Sequence, residues 1–337
     1  MIVVDHVTKY YGAHAAVRDL DFRIAEGECV GFLGLNGAGK TTTLRLLACL
    51  LLPTSGRVTV KGLDAEEEPH EIRKLLGFLP DAPPVYPEMR VGAFLRFAGK
   101  LRGMTEAEVD KRIPEVFDAA GLGDVADDAI GALSHGYRQR VGIGQAIIHR
   151  PALLILDEPI QGLDPVQIVE MREMIRRLRG KHTILLSTHI LGEIKETCDR
   201  ILMLHQGRIT AQGSEAELAE RFGYGVVNIE VVARGGETAL REALEKVAGV
   251  SITSLGPVET TYRNAPEGSI RAHVRATADQ REELAKAVVQ AGLGLLVLSR
   301  VSTGLENIFV KLSQEQDAQE AEEARAQAAD AAGGKPS

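Results

Sequence analysis

Three features of the sequence predict an α/β fold organised by a glycine-rich loop and followed by a smaller α+β unit. Gly34-Leu35-Asn36-Gly37-Ala38-Gly39-Lys40-Thr41 fits G-x-x-x-x-G-K-[ST]. It lies between an apolar run at 29–33 and a segment, 42–52, with helical spacing at Leu44, Leu47 and Leu51. The unbroken apolar run at 152–156 suits a central strand of a parallel sheet covered on both faces, and Thr183-Ile184-Leu185-Leu186-Ser187 reads as another buried strand. Beyond residue 225 the patterns follow the order β-α-β-β-α-β of a ferredoxin-like unit.

The glycines of the loop let the chain turn tightly and point successive N–H groups inward, which makes a concave anion site. Strand, loop and helix N-terminus arrive in the order that phosphate binding requires, and the helix dipole adds positive potential there. Lys40 is expected to reach the β- and γ-phosphates of a nucleotide, and the Thr41 hydroxyl to take a place on Mg²⁺.

A chain of 337 residues allows two domains, and its hydrophobic fraction of 45% is ordinary for a globular protein. The formal net charge of −8 argues against a general nucleic-acid surface. Cys29, Cys49 and Cys198 are widely spaced and include no C-x-x-C pair. They read as reduced core thiols of a cytosolic protein, not as a disulfide frame or zinc site. No apolar run approaches a bilayer span, and the first residues lack the marks of a signal peptide. A cytoplasmic protein that docks on a membrane only through a partner is the expectation.

Residues 1–5 and 20–24 read as short strands, with Lys9-Tyr10-Tyr11-Gly12 as the turn between them. Tyr11 offers a flat π-face for a base, although a lone aromatic is more usually a core or surface residue. Strands are expected at 57–60 and at 75–79, the latter ended by Pro80. From 83 to 133 the pattern turns helical. Phe94, Phe97, Ala98 and Leu101 share one face, Val109, Ile113, Val116 and Phe117 another, and the aromatics read as core. Leu133-Ser134-His135-Gly136-Tyr137 precedes an amphipathic helix over 138–149, and on its own Ser134 reads as that helix's cap.

The run at 152–156 ends in Asp157 and Glu158. Ligands of parallel sheets sit beyond the carboxyl ends of the strands, so this pair emerges beside the glycine loop. Such a pair is sometimes only a helix cap. Downstream of a P-loop it suits a Mg²⁺-organising Asp and a water-directing Glu. The run at 183–187 ends at Thr188-His189 and brings an imidazole to the same edge, where a single histidine is more often structural. Residues 213–221 read as a closing helix and Gly223-Tyr224-Gly225 as a linker. Strands then follow at 226–232, 250–255, 269–274 and 295–301, with helices at 237–247, 278–291 and 305–312. The tail from 313 is expected to be disordered or a frayed helix. The expected domains are 1–222, with a helical subdomain at about 83–150, then 223–312 and the tail 313–337.

Taken in order, Tyr11-Gly12, the P-loop, Leu133-Ser134-His135-Gly136-Tyr137, Leu156-Asp157-Glu158, Gly162-Leu163-Asp164 and Ser187-Thr188-His189 resemble the ATP-binding subunit of an ABC transporter. The resemblance spans residues 1–220. The part at 223–312 resembles the accessory domain of exporter-type ATPases, through its element order and Leu305-Glu306-Asn307-Ile308-Phe309. This implies a P-loop NTPase of the ABC type with an inserted helical subdomain, followed by a small ferredoxin-like α+β domain. It also implies ATP and Mg²⁺ as cofactors. Two ATPase subunits, as a homodimer or paired with a second ATPase subunit, would meet head to tail around two ATPs.

Carried over by motif, Tyr11 stacks on adenine, and Asn36, Gly37, Ala38, Gly39, Lys40, Thr41 and Thr42 bind the phosphates. Ser134 and Gly136 approach the γ-phosphate held by the other subunit. Asp157 orders Mg²⁺ through water, and Glu158 polarises the attacking water as general base. His189 contacts the γ-phosphate and holds Glu158 and the water in line. Asp164 lies on the loop that crosses the dimer seam. Three places depart from the family pattern. His135 and Tyr137 stand where the commonest signature has Gly and Gln. Asp81, after Leu79-Pro80, takes the place of a Gln or Glu that senses the γ-phosphate, and is expected to reach the metal only through water. Ile160 follows Pro159 where Thr or Ser is usual, and no catalytic role is assigned to it.

The implied function is a transporter motor, peripheral on the cytoplasmic face of the cell membrane, that drives export through a separate integral membrane permease met through 81–105. One alternative is an ABC ATPase acting on ribosomes or DNA, against which stand the single P-loop, the single signature and the lack of heptads. Another is a regulatory ATP sensor that scarcely hydrolyses, kept open by Asp81 and His135. The transported substrate is not legible.

Overall fold

The computed structural model describes residues 1–195, 197–221, 227–258, 266, 268–276 and 278–301. By contacts the chain separates into two compact units, Met1–Glu215 and Ala216–Ser337.

In the first unit, β1 (Ile2–Tyr11) and β2 (His14–Ile24) form a hairpin, and β3 (Cys29–Leu33) runs through the glycine loop into α1 (Lys40–Leu47). Next come β4 (Ser55–Val60), β5 (Leu63–Asp64), α2 (Pro69–Lys74) and β6 (Leu76–Leu79). The helical region holds α3 (Val91–Leu101), α4 (Glu106–Ala120) and α5 (His135–Ile147). The chain then returns through β7 (Leu153–Asp157), α6 (Pro165–Leu178), β8 (Thr183–Thr188), α7 (Leu191–Lys195) and the hairpin β9 (Arg200–His205)–β10 (Arg208–Gly213). One sheet has the order β2-β1-β4-β5 and is antiparallel. The other has the order β10-β9-β3-β8-β7-β6, parallel except for β10.

Helix α1 packs against strands of both sheets, burying Leu44, Leu46 and Leu47. Each such leucine contributes about 2 kcal/mol by removal from water. Phe22 of β2 meets Phe32 of β3 edge-on at 5.7 Å, which ties the two sheets together. The central strands β3, β7 and β8 are buried along their whole length, as their apolar runs require. Helix α4 starts where Thr105 accepts from the Glu108 amide while Glu108 returns a carboxylate to the Thr105 amide. It stops at Gly121 in the left-handed region.

Several local expectations are corrected. Lys9, Tyr10 and Tyr11 belong to β1, paired with Val17, Ala15 and His14, so the turn is confined to the residues around Gly12. The helix after the loop starts at Lys40 and ends at Leu47, short of residue 52, because Cys49 adopts a left-handed φ of 53°. Phe97 and Leu101 are not core. Leu101 is 71% exposed, because α3 buries a narrower stripe than its apolar face spans. Gly213 closes β10 and does not start a helix. The β9–β10 hairpin was not anticipated.

The chain passes into the second unit along α8 (Glu215–Arg221), and that unit contains β11 (Val227–Arg234), α9 (Glu237–Glu245), β12 (Val250–Pro257), β13 (Ser269–Ala276), α10 (Arg281–Gln290) and β14 (Gly294–Val301). From β11 onward the order is β-α-β-β-α-β, in a sheet arranged β12-β13-β11-β14. Leu240 and Leu244 of α9 and Leu284 and Val288 of α10 cover Ile229, Val231, Ala272 and Val274 on one face. The expected helix at 305–312 and the tail from 313 lie outside the described residues. Among the described residues no helix is long and apolar enough to cross a membrane. All three cysteines are free thiols, with Cys29 and Cys49 buried.

Candidate nucleotide site

The site stands where three parallel strands end. Register places Leu33 of β3 opposite Thr188 of β8, and Asp157 of β7 opposite Ser187. The Gly34 amide donates to the Thr188 carbonyl at 3.3 Å, which fixes the start of the glycine loop on the sheet edge. Gly39 turns the loop into α1 with φ 99°, and a Cβ there would lie 2.6 Å from the Ala16 carbonyl oxygen. Only glycine satisfies both conditions.

Lys40 is 5% exposed, and its Nζ donates to the Gly34 and Leu35 carbonyls at 2.7 and 3.2 Å. The same ammonium pairs with Glu158 Oε1 at 3.2 Å. Glu158 is buried and carries a positive φ of 49°, a backbone state that non-glycine residues rarely adopt. His189 Nδ1 lies 3.1 Å from Glu158 Oε2. A carboxylate only accepts, so this nitrogen carries the proton and Nε2 faces away from Glu158.

Asp157 sits one layer deeper. Its Oδ1 accepts from Ser187 Oγ at 2.6 Å and from Thr41 Oγ1 at 3.3 Å. Ser187 Oγ also accepts from the Glu158 amide at 2.9 Å, so one hydroxyl holds both acidic residues in place. Burial pushes the Asp157 carboxyl above its ordinary value, while the two hydroxyl hydrogen bonds pull the other way.

A cavity of about 520 Å³ opens over this edge. It gathers the expected residues Tyr11, Asn36, Gly37, Gly39, Lys40, Thr41, Thr42, Asp81 and Glu158. Tyr11 is half-exposed on β1, with Lys9 Nζ 5.7 Å from its ring centre. Ala38, in the same loop, is buried and does not line the cavity. Three further residues line it without having been anticipated: His14, Ala16 and Gln161. His14 has a signal in hindsight, since it is the strand partner of Tyr11 across the Gly12 turn. Asp81 is tied in through its carbonyl, which accepts from buried Gln139 Nε2 at 3.1 Å.

Ser134, Gly136 and Asp164 lie outside this cavity. Ser134 caps α5 and accepts from the Tyr137 amide at 3.3 Å. Gly136 is pressed against α6, where an added Cβ would stand 2.6 Å from Gln167 Oε1. Asp164 caps α6, accepting from the Val166 and Gln167 amides at 3.0 and 2.9 Å.

A glycine loop between a parallel strand and a helix, with a lysine, a hydroxyl and strand-end carboxylates at one cleft, defines a P-loop NTPase. The profile of the ABC transporter family matches residues 17–161. The ABC transporter ATP-binding protein YxlF of Bacillus subtilis (strain 168) is 40% identical over 221 residues, covering 66% of this chain and 73% of its own length. The bacitracin transport ATP-binding protein BcrA of Bacillus licheniformis is 32% identical over 314 residues, covering 93% of this chain and 97% of its own. Among solved structures, an ATP-binding subunit of an ABC transporter superimposes with a TM-score of 0.60 at 33% identity, over 66% of this chain and 93% of its own. A dimeric ATP-binding cassette in a post-hydrolysis state with ADP and Pi gives a TM-score of 0.59 at 25% identity, over 64% of this chain and 98% of its own. This chain belongs to the ATP-binding subunits of ABC transporters. It binds and hydrolyses ATP, and subunits of this family dimerise and work with membrane permease components.

Proposed function

We propose that this chain is the motor of an exporter, closing head to tail on a second ATPase subunit around two ATPs. The observation that carries this reading is the convergence of Lys40, Thr41, Asp157, Glu158 and His189 at the ends of β3, β7 and β8. Phosphoryl transfer depends on positioning and charge neutralisation, which this cluster supplies. Glu158 takes the proton of the attacking water, and His189, donating to Glu158, keeps that carboxylate aligned. Tyr11 stacks on the base, the 36–42 segment holds the phosphates, and Ser134, Gly136 and Asp164 act across the seam on the nucleotide of the opposite subunit. Their position outside the cavity of their own chain fits that role.

The Thr41 hydroxyl, with the Asp157 and Asp81 carboxylates acting through water, would supply a hard-oxygen donor set suited to Mg²⁺. The close pairing of Thr41 with a desolvated Asp157 supports the same assignment. Bound there, Mg²⁺ would neutralise charge developing on the phosphates.

Export as the direction rests on relatives. A Nod factor export ATP-binding protein of Ralstonia nicotianae is 36% identical over 317 residues, covering 93% of this chain and 94% of its own. The permease would dock on the helical region, where Tyr86, Phe97 and Leu101 are exposed and Tyr86 stacks edge-on against Phe94 and Phe97 at 6.1 and 5.9 Å. Glu158→Gln is the test. Turnover should fall by about 100-fold or more while ATP-stabilised dimers persist in size-exclusion chromatography. Unchanged turnover would reject Glu158 as the base.

A further inference from the structure

Residue 135 breaks the commonest form of the signature, and the structure gives its side chain a partner. His135 Nε2 lies 3.1 Å from the Gln161 carbonyl oxygen. A carbonyl only accepts, so the imidazole donates from Nε2. The Gln161 amide in turn donates to the Glu158 carbonyl at 3.2 Å, closing a turn over 158–161. Ile160, 2% exposed, anchors the middle of that turn in the core. Gln161 also lines the nucleotide cavity, together with Glu158 and Asp81. A continuous path therefore runs from the signature tip, through one imidazole and one peptide turn, to the carboxylate-bearing residue of the same chain. A glycine at 135 would have no donor to complete it.

We propose that His135 is a positioning residue for the nucleotide pocket of its own chain, acting through the Gln161 carbonyl on the turn that carries Glu158. This deepens the head-to-tail reading and rests on it. Ser134 serves the pocket across the seam, while the next residue in sequence steadies the pocket on its own side. Adjacent positions of one helix tip thus address two different nucleotides, which ties engagement of one to the geometry around the other.

The test uses full-length mixed dimers purified through two different tags, with Glu158→Gln in one chain so that a single working pocket remains. His135→Ala is then placed either in the chain with the intact Glu158 or in the opposite chain. Loss of one hydrogen bond corresponds to a drop of about threefold to tenfold in kcat. That drop should follow the chain bearing the working Glu158, and His135→Asn or His135→Gln in that chain should recover part of it by restoring a donor. A drop that follows the opposite chain, equal drops in both placements, or no drop in either overturns the proposal. Ser134→Ala is run in parallel as the check on the underlying reading. Its effect should follow the opposite chain, and if it does not, the composite site itself fails, whatever His135 does.

Discussion

Ser187→Ala isolates the physical basis of the catalytic edge, because a single oxygen holds two acidic residues. Ser187 is fully buried, and alanine fills nearly its volume, so the change is one of hydrogen bonding and not of packing. Its bond to Asp157 at 2.6 Å is charge-assisted and contributes about 2 kcal/mol. Deleting the acceptor of the Glu158 amide leaves a buried N–H without a partner, at a further cost of about 1–2 kcal/mol. The total, about 3–4 kcal/mol, should lower the melting temperature of the first unit by about 6–15 °C. Turnover should fall by about tenfold to 100-fold as both carboxylates lose registry.

The pH profile provides a separate reading. Burial already raises the Asp157 carboxyl, and the Ser187 hydrogen bond opposes that rise. Removing the hydroxyl raises the carboxyl further, so activity that needs ionised Asp157 begins at a higher pH, and the acid limb shifts to the alkaline side. Differential scanning fluorimetry and a phosphate-release assay across pH measure both effects. A melting shift under about 1 °C together with an unmoved acid limb refutes the assignment of Ser187 as the common support.

Two further outcomes test other parts of the molecule. Tyr11→Ala should weaken ATP binding by about tenfold, since stacking on an aromatic ring is worth about 1–3 kcal/mol, while tripolyphosphate, which has no base, should bind unchanged. Equal losses for both ligands would remove Tyr11 from base recognition. Burial lowers the pKa of His149 to about 4 from 6.5, with Nε2 donating to the Leu76 carbonyl and Nδ1 buried without a partner among the described residues. The unfolded chain therefore takes up this proton first as pH falls. The stability it contributes is complete above pH 6.5 and is lost between 6.5 and 4, by about 3 kcal/mol. Urea titrations of His149→Leu should show a shallower acid decline over that interval, and parallel curves for both proteins would exclude His149 as its source.

Much of the catalytic edge was legible because its signals are local. An apolar run that ends in Asp157-Glu158, and another that ends at Thr188-His189, announce strand ends wherever the strands pair, and parallel pairing brings those ends together. Ser134 was readable both as a cap and, by resemblance, as a seam residue, and its capping bond to the Tyr137 amide is present. His14, Ala16 and Gln161 were not legible. They reach the cavity through hairpin register and a loop turn, neither of which constrains residue type. Phe97 and Leu101 misled because apolar spacing marks a potential face, while neighbouring helices decide how much of it is covered. The turn assigned to 9–12 failed since three polar or aromatic residues read as punctuation, whereas cross-strand pairing keeps them extended.

The stepped alignment of Leu33 with Thr188 and of Asp157 with Ser187 has an evolutionary corollary. A strand advances about 3.3 Å per residue and alternates faces, so deleting a single residue anywhere in β7 would both retract Asp157 and turn it away. Exchanging one aliphatic side chain for another in the same strand moves the carboxylate hardly at all. Lineages descended from this chain are thus free to drift in composition along their central strands, but are held to fixed strand lengths, and gaps should accumulate in the connecting loops instead.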